Sequence, residues 1–123
     1  MATSIKHVLK KESSYKINGS LWIECEHERF FGPGPVELLE HIAETGSLNR
    51  AAKKMGMSYK KAWEMVNALN AQTTRPVVIP RTGGEKGGGS TLTEEAWDLI
   101  NYHRSLRERF AAFLKAESIQ LKK

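Results

Sequence analysis

The sequence contains a single cysteine, Cys25, so the chain forms no internal disulfide and no metal site built from several thiolates. Cys25 stands in a strand-like run with no cationic neighbour, which favours an ordinary thiol over a redox centre. No apolar run approaches the roughly 18 residues of a membrane-spanning helix. The N-terminus also lacks the apolar segment and small-residue cleavage site of a secretory signal. We therefore expect a reduced, cytoplasmic location, in association with the nucleoid.

The residue patterns of catalytic and metal sites are also missing. The four histidines are scattered without the spacing of metal ligands: His7, His27, His41 and His103. The glycine-rich run 83–89 does not match a nucleotide-binding Walker loop, because Lys86 is followed by glycines instead of Ser or Thr at a helix start. The sequence also shows no nucleophilic residue together with a residue that could act as its general base. The sequence predicts no enzyme, no cofactor and no metal.

Positive charge is concentrated in one part of the chain. Residues 47–90 contain eight lysines and arginines against two acidic residues, whereas residues 20–46 contain one arginine against six glutamates. The whole chain has a net charge of only +5. Such asymmetry indicates a local anionic partner more strongly than the overall charge does.

Short strands are indicated on either side of a helical region. Residues 21–25 alternate in polarity, and with Phe30-Phe31 they predict an N-terminal β-hairpin of two or three short strands. The β-branched run 77–79 and residues 90–92 flank the glycine-rich run, which predicts a second hairpin.

Four helices are indicated by apolar residues that recur every three or four positions. The first covers about 35–44, and the second begins after a cap at Ser47. The third covers 58–73 and the fourth about 94–117. This order is typical of a winged helix-turn-helix, so we expect a mainly α fold with a small β component (α+β).

The chain is then expected to have three parts. Residues 1–14 are polar and basic and form a flexible N-terminus, 15–93 form the winged helix-turn-helix, and 94–123 form a linker and dimerisation helix. Apolar residues cover more than half the circumference of the last helix, whereas a helix on one small domain needs an arc of roughly 100°. The excess predicts a homodimer interface on this helix: Leu99, Leu106, Phe110, Phe113 and Leu114.

Double-stranded DNA is the partner that this layout predicts. An α-helix fits the major groove, helix starts can bind phosphates through backbone N–H groups, and glycines let a wing (77–92) approach the flanking backbone or minor groove. The expected DNA-contacting residues are Ser47, Asn49, Arg50, Lys53, Ser58, Tyr59, Lys60, Lys61, Asn67, Arg81, Gly84, Lys86, Gly87 and Gly88. For Trp63, which borders the apolar face of the third helix, packing against the wing is favoured over base contact.

Two long segments of the chain resemble the N-terminal DNA-binding domain of the ModE family of molybdate-responsive bacterial regulators, and more distantly the LysR winged helix. They are GPGPVELLEHIAETGSLNRAAKKMGMSYKKAWEMVNALN and TGGEKGGGSTLTEEAWDLI. The resemblance implies a dimer formed largely through the first and last helices, which adds Leu38 and Ile42 of the first helix to the expected interface. It supports Ser58 to Lys61 at the groove and Arg81 with the glycine loop as the wing. Nothing in the chain resembles the C-terminal oxyanion-binding domains of that family, so we expect no molybdate binding by this chain.

Two other functions remain open from the sequence. The winged helix could be a scaffold for protein interaction, with the last helix docking a different subunit. A small-ligand switch that binds an oxyanion at a helix N-terminus is less favoured.

Overall fold

The computed structural model describes residues 3–81 and 89–122, and the order of their elements confirms the predicted fold class of four helices and two small hairpins. A short 3₁₀ turn at Lys6–Val8 precedes them. The strands are β1 (Ile23–Cys25), β2 (Glu28–Phe31), β3 (Val78–Arg81) and β4 (Gly89–Leu92). The helices are α1 (Pro33–Thr45), α2 (Leu48–Lys54), α3 (Tyr59–Ala71) and α4 (Glu94–Ile119). No helix in the described part of the chain is both long and apolar enough to cross a membrane.

The chain divides into two compact units. One comprises Trp22–Arg104 and contains both hairpins, α1 to α3 and the beginning of α4. The other comprises Met1–Leu21 with Ser105–Lys123. In this second unit the Ile17 N–H donates to Ser118 Oγ at 2.9 Å.

The N-terminal hairpin is shorter than the strand-like sequence suggests. β1 and β2 are antiparallel, with Cys25 opposite Glu28, and strand structure begins only at Ile23. Glu26 and His27 form the two-residue turn and both have positive φ, at 49° and 72°. Such a turn matches the right-handed twist of the flanking strands.

The helix-turn-helix is formed by α2 and α3, and its close packing depends on small residues. Ser47 Oγ accepts a hydrogen bond from the Arg50 N–H and is the predicted N-cap of α2, and Ser58 Oγ accepts one from the Lys61 N–H and caps α3. Ala51 and Ala62 are completely buried. Larger side chains at these positions would push the two helices apart.

α3 ends earlier than predicted, at Ala71 instead of residue 73. The Gln72 N–H and the Thr73 hydroxyl both donate to the Leu69 carbonyl, which closes the last turn of the helix. These local hydrogen bonds satisfy the Leu69 carbonyl at the end of the helix.

The second hairpin, the wing, is hydrogen-bonded to the helices on both of its strands. The Val77 N–H donates to Asn70 Oδ1 at 2.7 Å, and Asn70 Nδ2 donates to the Val78 carbonyl at 3.4 Å. On the other strand the Ser90 N–H donates to the Gly46 carbonyl at 2.9 Å. The start of β3 is thus held by α3, and β4 is held by the junction between α1 and α2.

Replacing Asn70 by alanine should destabilise the protein by about 1–3 kcal/mol, because it leaves the N–H of the fully buried Val77 without an acceptor. Asn67→Ala is the matched control, since Asn67 lies on the same helix and is exposed. Urea unfolding followed by circular dichroism measures both. Equal midpoints for the two variants would contradict the anchoring role of Asn70.

The core of the first unit contains residues of all three of the first helices, of the wing and of α4. Among its fully buried side chains are Phe31, Leu39 and Ile100. Leu38 and Ile42, which the sequence assigned to the dimer interface, are also fully buried here. Their side chains offer no surface to a second subunit, so we remove both from the proposed interface.

Candidate nucleic-acid interface

The starts of α2 and α3 meet the second strand of the wing at one shallow cleft. The residues that line the cleft are Ser47, Leu48, Asn49, Tyr59, Gly89 and Ser90. Asn49 and Tyr59 are exposed, and Tyr59 begins α3. Three elements that the sequence predicts to contact DNA are therefore neighbours in the fold.

α3 has a buried face and an exposed face. Ala62, Val66 and Leu69 are buried against the core. Apart from alanines, the exposed residues of α3 are Tyr59, Lys60, Lys61, Trp63, Glu64 and Asn67. A helix with one free face can enter the major groove, which is about 12 Å wide. Here the free face is the one that contains the predicted base-contacting residues Lys60 and Asn67.

The cations of α2 fall into two groups. Arg50 and Lys53 are exposed. Lys54, in contrast, forms an ion pair with Glu44 of α1. The hydrogen bond from Lys54, together with its charge, holds the pKa of Glu44 below its usual value. The charge of Lys54 is thus already matched within the protein, which leaves Arg50 and Lys53 as the better phosphate ligands.

Arg81 is the last residue of β3, opposite Gly89 of β4, and its side chain lies next to the junction of α1 and α2. A Cβ on Gly89 would lie 2.9 Å from Arg81 Nη2, and a Cβ on Gly46 would lie 3.3 Å from Nη1. Gly46 also has a φ of +69°, which favours glycine, and its N–H closes α1 by donating to the Ile42 carbonyl. A cation is well placed here, because the C-terminal end of a helix has partial negative charge. The two glycines allow the guanidinium to lie against the backbone.

Four of the predicted contacts, Gly84, Lys86, Gly87 and Gly88, lie outside the described residues, and their part in DNA binding stays a prediction. The remaining ten of the set are described. They lie at the start and along the length of α2, at the start and on the exposed face of α3, and at the end of β3.

The predicted core burial of Trp63 is wrong. The side chain is 51% exposed and does not belong to the core. Glu64, the next residue, is also exposed on this face, and the sequence reasoning did not consider it. The spacing along the helix could have placed both residues on this face, because residues 60, 63, 64 and 67 are three or four positions apart and therefore lie on one side of a helix.

Within residues 3–81 and 89–122 no group of three or more His, Cys, Asp or Glu side chains is arranged to hold a metal ion. The cations Arg50, Lys53, Lys60, Lys61 and Arg81 are all exposed. Chemically, this surface offers ammonium and guanidinium groups, helix-start N–H groups and one acidic side chain, a composition that suits phosphates and base edges.

The comparisons with known proteins agree with this geometry. Residues 35–97 match the family model described as bacterial regulatory helix-turn-helix protein, lysR family. The chain is 38% identical over 104 residues to "Transcriptional regulator ModE" of Haemophilus influenzae, covering 82% of this chain and 41% of that protein. It is 36% identical over 88 residues to "DNA-binding transcriptional dual regulator ModE" of Escherichia coli K12, covering 72% of this chain and 34% of that protein.

A third relative is "Molybdenum-pterin-binding protein MopB" of Rhodobacter capsulatus, 39% identical over 85 residues, covering 69% of this chain and 32% of that protein. The chain thus spans between about a third and two fifths of the length of these relatives. The family model covers helices α1 to α3, the wing and the first turn of α4. This chain belongs to the LysR family of bacterial regulatory helix-turn-helix proteins.

Proposed function

We propose that the protein is a transcription regulator that binds duplex DNA sequence-specifically as a homodimer. The observation that supports this best is the meeting of the starts of α2 and α3 with the wing strand β4 at one cleft, beside exposed cations. In this proposal α3 occupies the major groove and the wing lies on the flanking backbone or minor groove.

Each side chain has a role that follows from its position. Lys60 and Asn67 can hydrogen-bond base edges, because they lie on the free face of α3. Arg50, Lys53 and Lys61 bind phosphates on either side. The N–H groups at the starts of α2 and α3 add partial positive charge directed at the backbone.

The dimer is proposed from the unit that contains the end of α4. Phe110 and Phe113 stack there with ring centroids 6.4 Å apart, and Phe113 remains 56% exposed. Leu106 and Leu114 are half-buried. Leu99 packs against the core of the other unit, so we leave it out of the interface. Exposed aromatic surface of this kind is typical of a protein contact.

A homodimer places two copies of α3 on one duplex. The operator should then be near-palindromic, with half-site centres separated by one helical turn of about 34–36 Å or a multiple of it.

Selection of bound duplexes from a random DNA library tests the proposal most directly. We expect the recovered sequences to share a near-palindromic motif, and fluorescence anisotropy should show that affinity for it falls steeply with salt. Wild-type protein that shows no salt-sensitive duplex binding would refute the proposed function.

A further inference from the structure

We propose that Trp63 forms a binding subsite for the C5-methyl group of a thymine at the centre of the recognition surface on α3. This inference rests on the proposed function, because it concerns how the same helix reads its DNA. It adds an apolar contact to a surface whose other assigned contacts are polar.

The first observation is the exposure of a large aromatic ring that lies outside the core. Trp63 is 51% exposed, whereas Ala62 and Val66, its neighbours on the buried side of α3, have 0% and 7% exposure. Tryptophan has a large apolar surface, and exposing half of it to water is unfavourable. A ligand that covers the indole would recover this free energy.

The second observation is the position of the ring relative to the polar residues. Lys60 precedes Trp63 by three positions and Asn67 follows it by four, so both are surface neighbours of Trp63 on the helix. Helical side chains point back toward the N-terminus, which directs the indole over the first turn of α3. The first turn of a recognition helix is the part that reaches base edges best.

The chemistry of the major groove then selects the ligand. Three kinds of group are presented there, hydrogen-bond donors, hydrogen-bond acceptors and the methyl group of thymine, and the methyl is the apolar one. Indole has an apolar ring surface and a single N–H donor. Trp63 therefore fits a thymine methyl, while Lys60 and Asn67 fit the polar edges of adjacent base pairs.

The experiment removes single methyl groups from the DNA. Each thymidine of the duplex recovered by selection is replaced in turn by deoxyuridine, which lacks the C5-methyl group. The dissociation constants of the wild type and of Trp63→Ala are then compared on the original and the substituted duplexes. We expect one position in each half-site where wild-type affinity falls about fourfold, the effect of one buried methyl group, and where Trp63→Ala shows no loss. Trp63→Phe, which keeps an apolar ring, should retain part of the methyl dependence.

Trp97→Ala is the matched control, since Trp97 is also a partly exposed tryptophan, 44% exposed, on α4. It should respond to deoxyuridine as the wild type does. A different result would be that the wild type binds DNA and that Trp63→Ala binds every duplex, substituted or not, more weakly than the wild type by the same factor. The indole would then cover the sugar-phosphate backbone, and the methyl subsite would be refuted. If the wild type shows no salt-sensitive binding at all, the proposed function itself fails. The two failures are therefore distinguishable.

Discussion

Replacing Arg50, Lys53 and Lys61 together by alanine is expected to flatten the salt dependence of DNA binding more than any other change on this surface. Each phosphate contact contributes about 0.9 to the slope of log K against log salt concentration, so the slope should fall by about 2.7 per half-site and by about twice that for a dimer. Non-specific and specific duplexes should lose affinity alike. Anisotropy titrations between 50 and 200 mM salt measure the slopes.

The three alanines should leave the fold intact. Arg50 and Lys61 donate to the serine caps through backbone N–H groups, which alanine retains. Alanine is also the best helix former. A control variant removes the same charge elsewhere by changing Arg75, Arg107 and Lys115, which are all exposed. Equal slopes for the two triple variants would show that the overall charge of the protein, and not this surface, determines binding.

Phe113→Asp is expected to convert a dimer into a monomer and to weaken operator binding by about 10²–10⁴-fold. An aspartate on the exposed apolar face of α4 would have to be buried without a partner, which opposes association. Without the linked second half-site, the gain in affinity from effective concentration is lost. Sedimentation measures the oligomeric state, and anisotropy with duplexes of one and two half-sites measures the affinity.

Tyr102→Asp is the matched control, because Tyr102 lies on the same helix and is 55% exposed. It should stay dimeric and keep the preference for two half-sites. If wild-type protein is a monomer at the concentrations where it binds DNA, the homodimer is refuted. The exposed end of α4 would then fit the alternative of a scaffold that docks a different subunit.

Most of the fold was predictable because its signals are local. Ser47 and Ser58 cap helices in the structure as their sequence positions indicate, and Gly46 ends α1 with the left-handed conformation expected of a glycine. The two hairpins were predicted from alternation, β-branched residues and turn residues. These features act within a few residues along the chain, so they can be predicted without knowledge of the tertiary structure.

The orientation of apolar residues was harder to predict. Leu38 and Ile42 lie on the apolar stripe of α1, and a stripe does not show whether it faces the core or a second subunit. Trp63 lies at the border between the buried and exposed faces of α3, where a small rotation of the helix decides its exposure. The position of Arg81 depends on Gly46 and Gly89, which are distant from one another in sequence. Such questions are decided by tertiary packing.

The hydrogen bonds of Asn70 and Gly46 to the wing have a consequence for the length of the DNA site. Because the start of β3 is hydrogen-bonded to α3, and β4 is hydrogen-bonded to the residue that ends α1, the distance from α3 to the two strands of the wing is set before DNA arrives. The spacing between the base pairs under α3 and those under the wing would therefore be fixed by the protein in each half-site. If one base pair is inserted between the part of the half-site under α3 and the part under the wing, the protein should keep the DNA contacts of either α3 or the wing and lose those of the other.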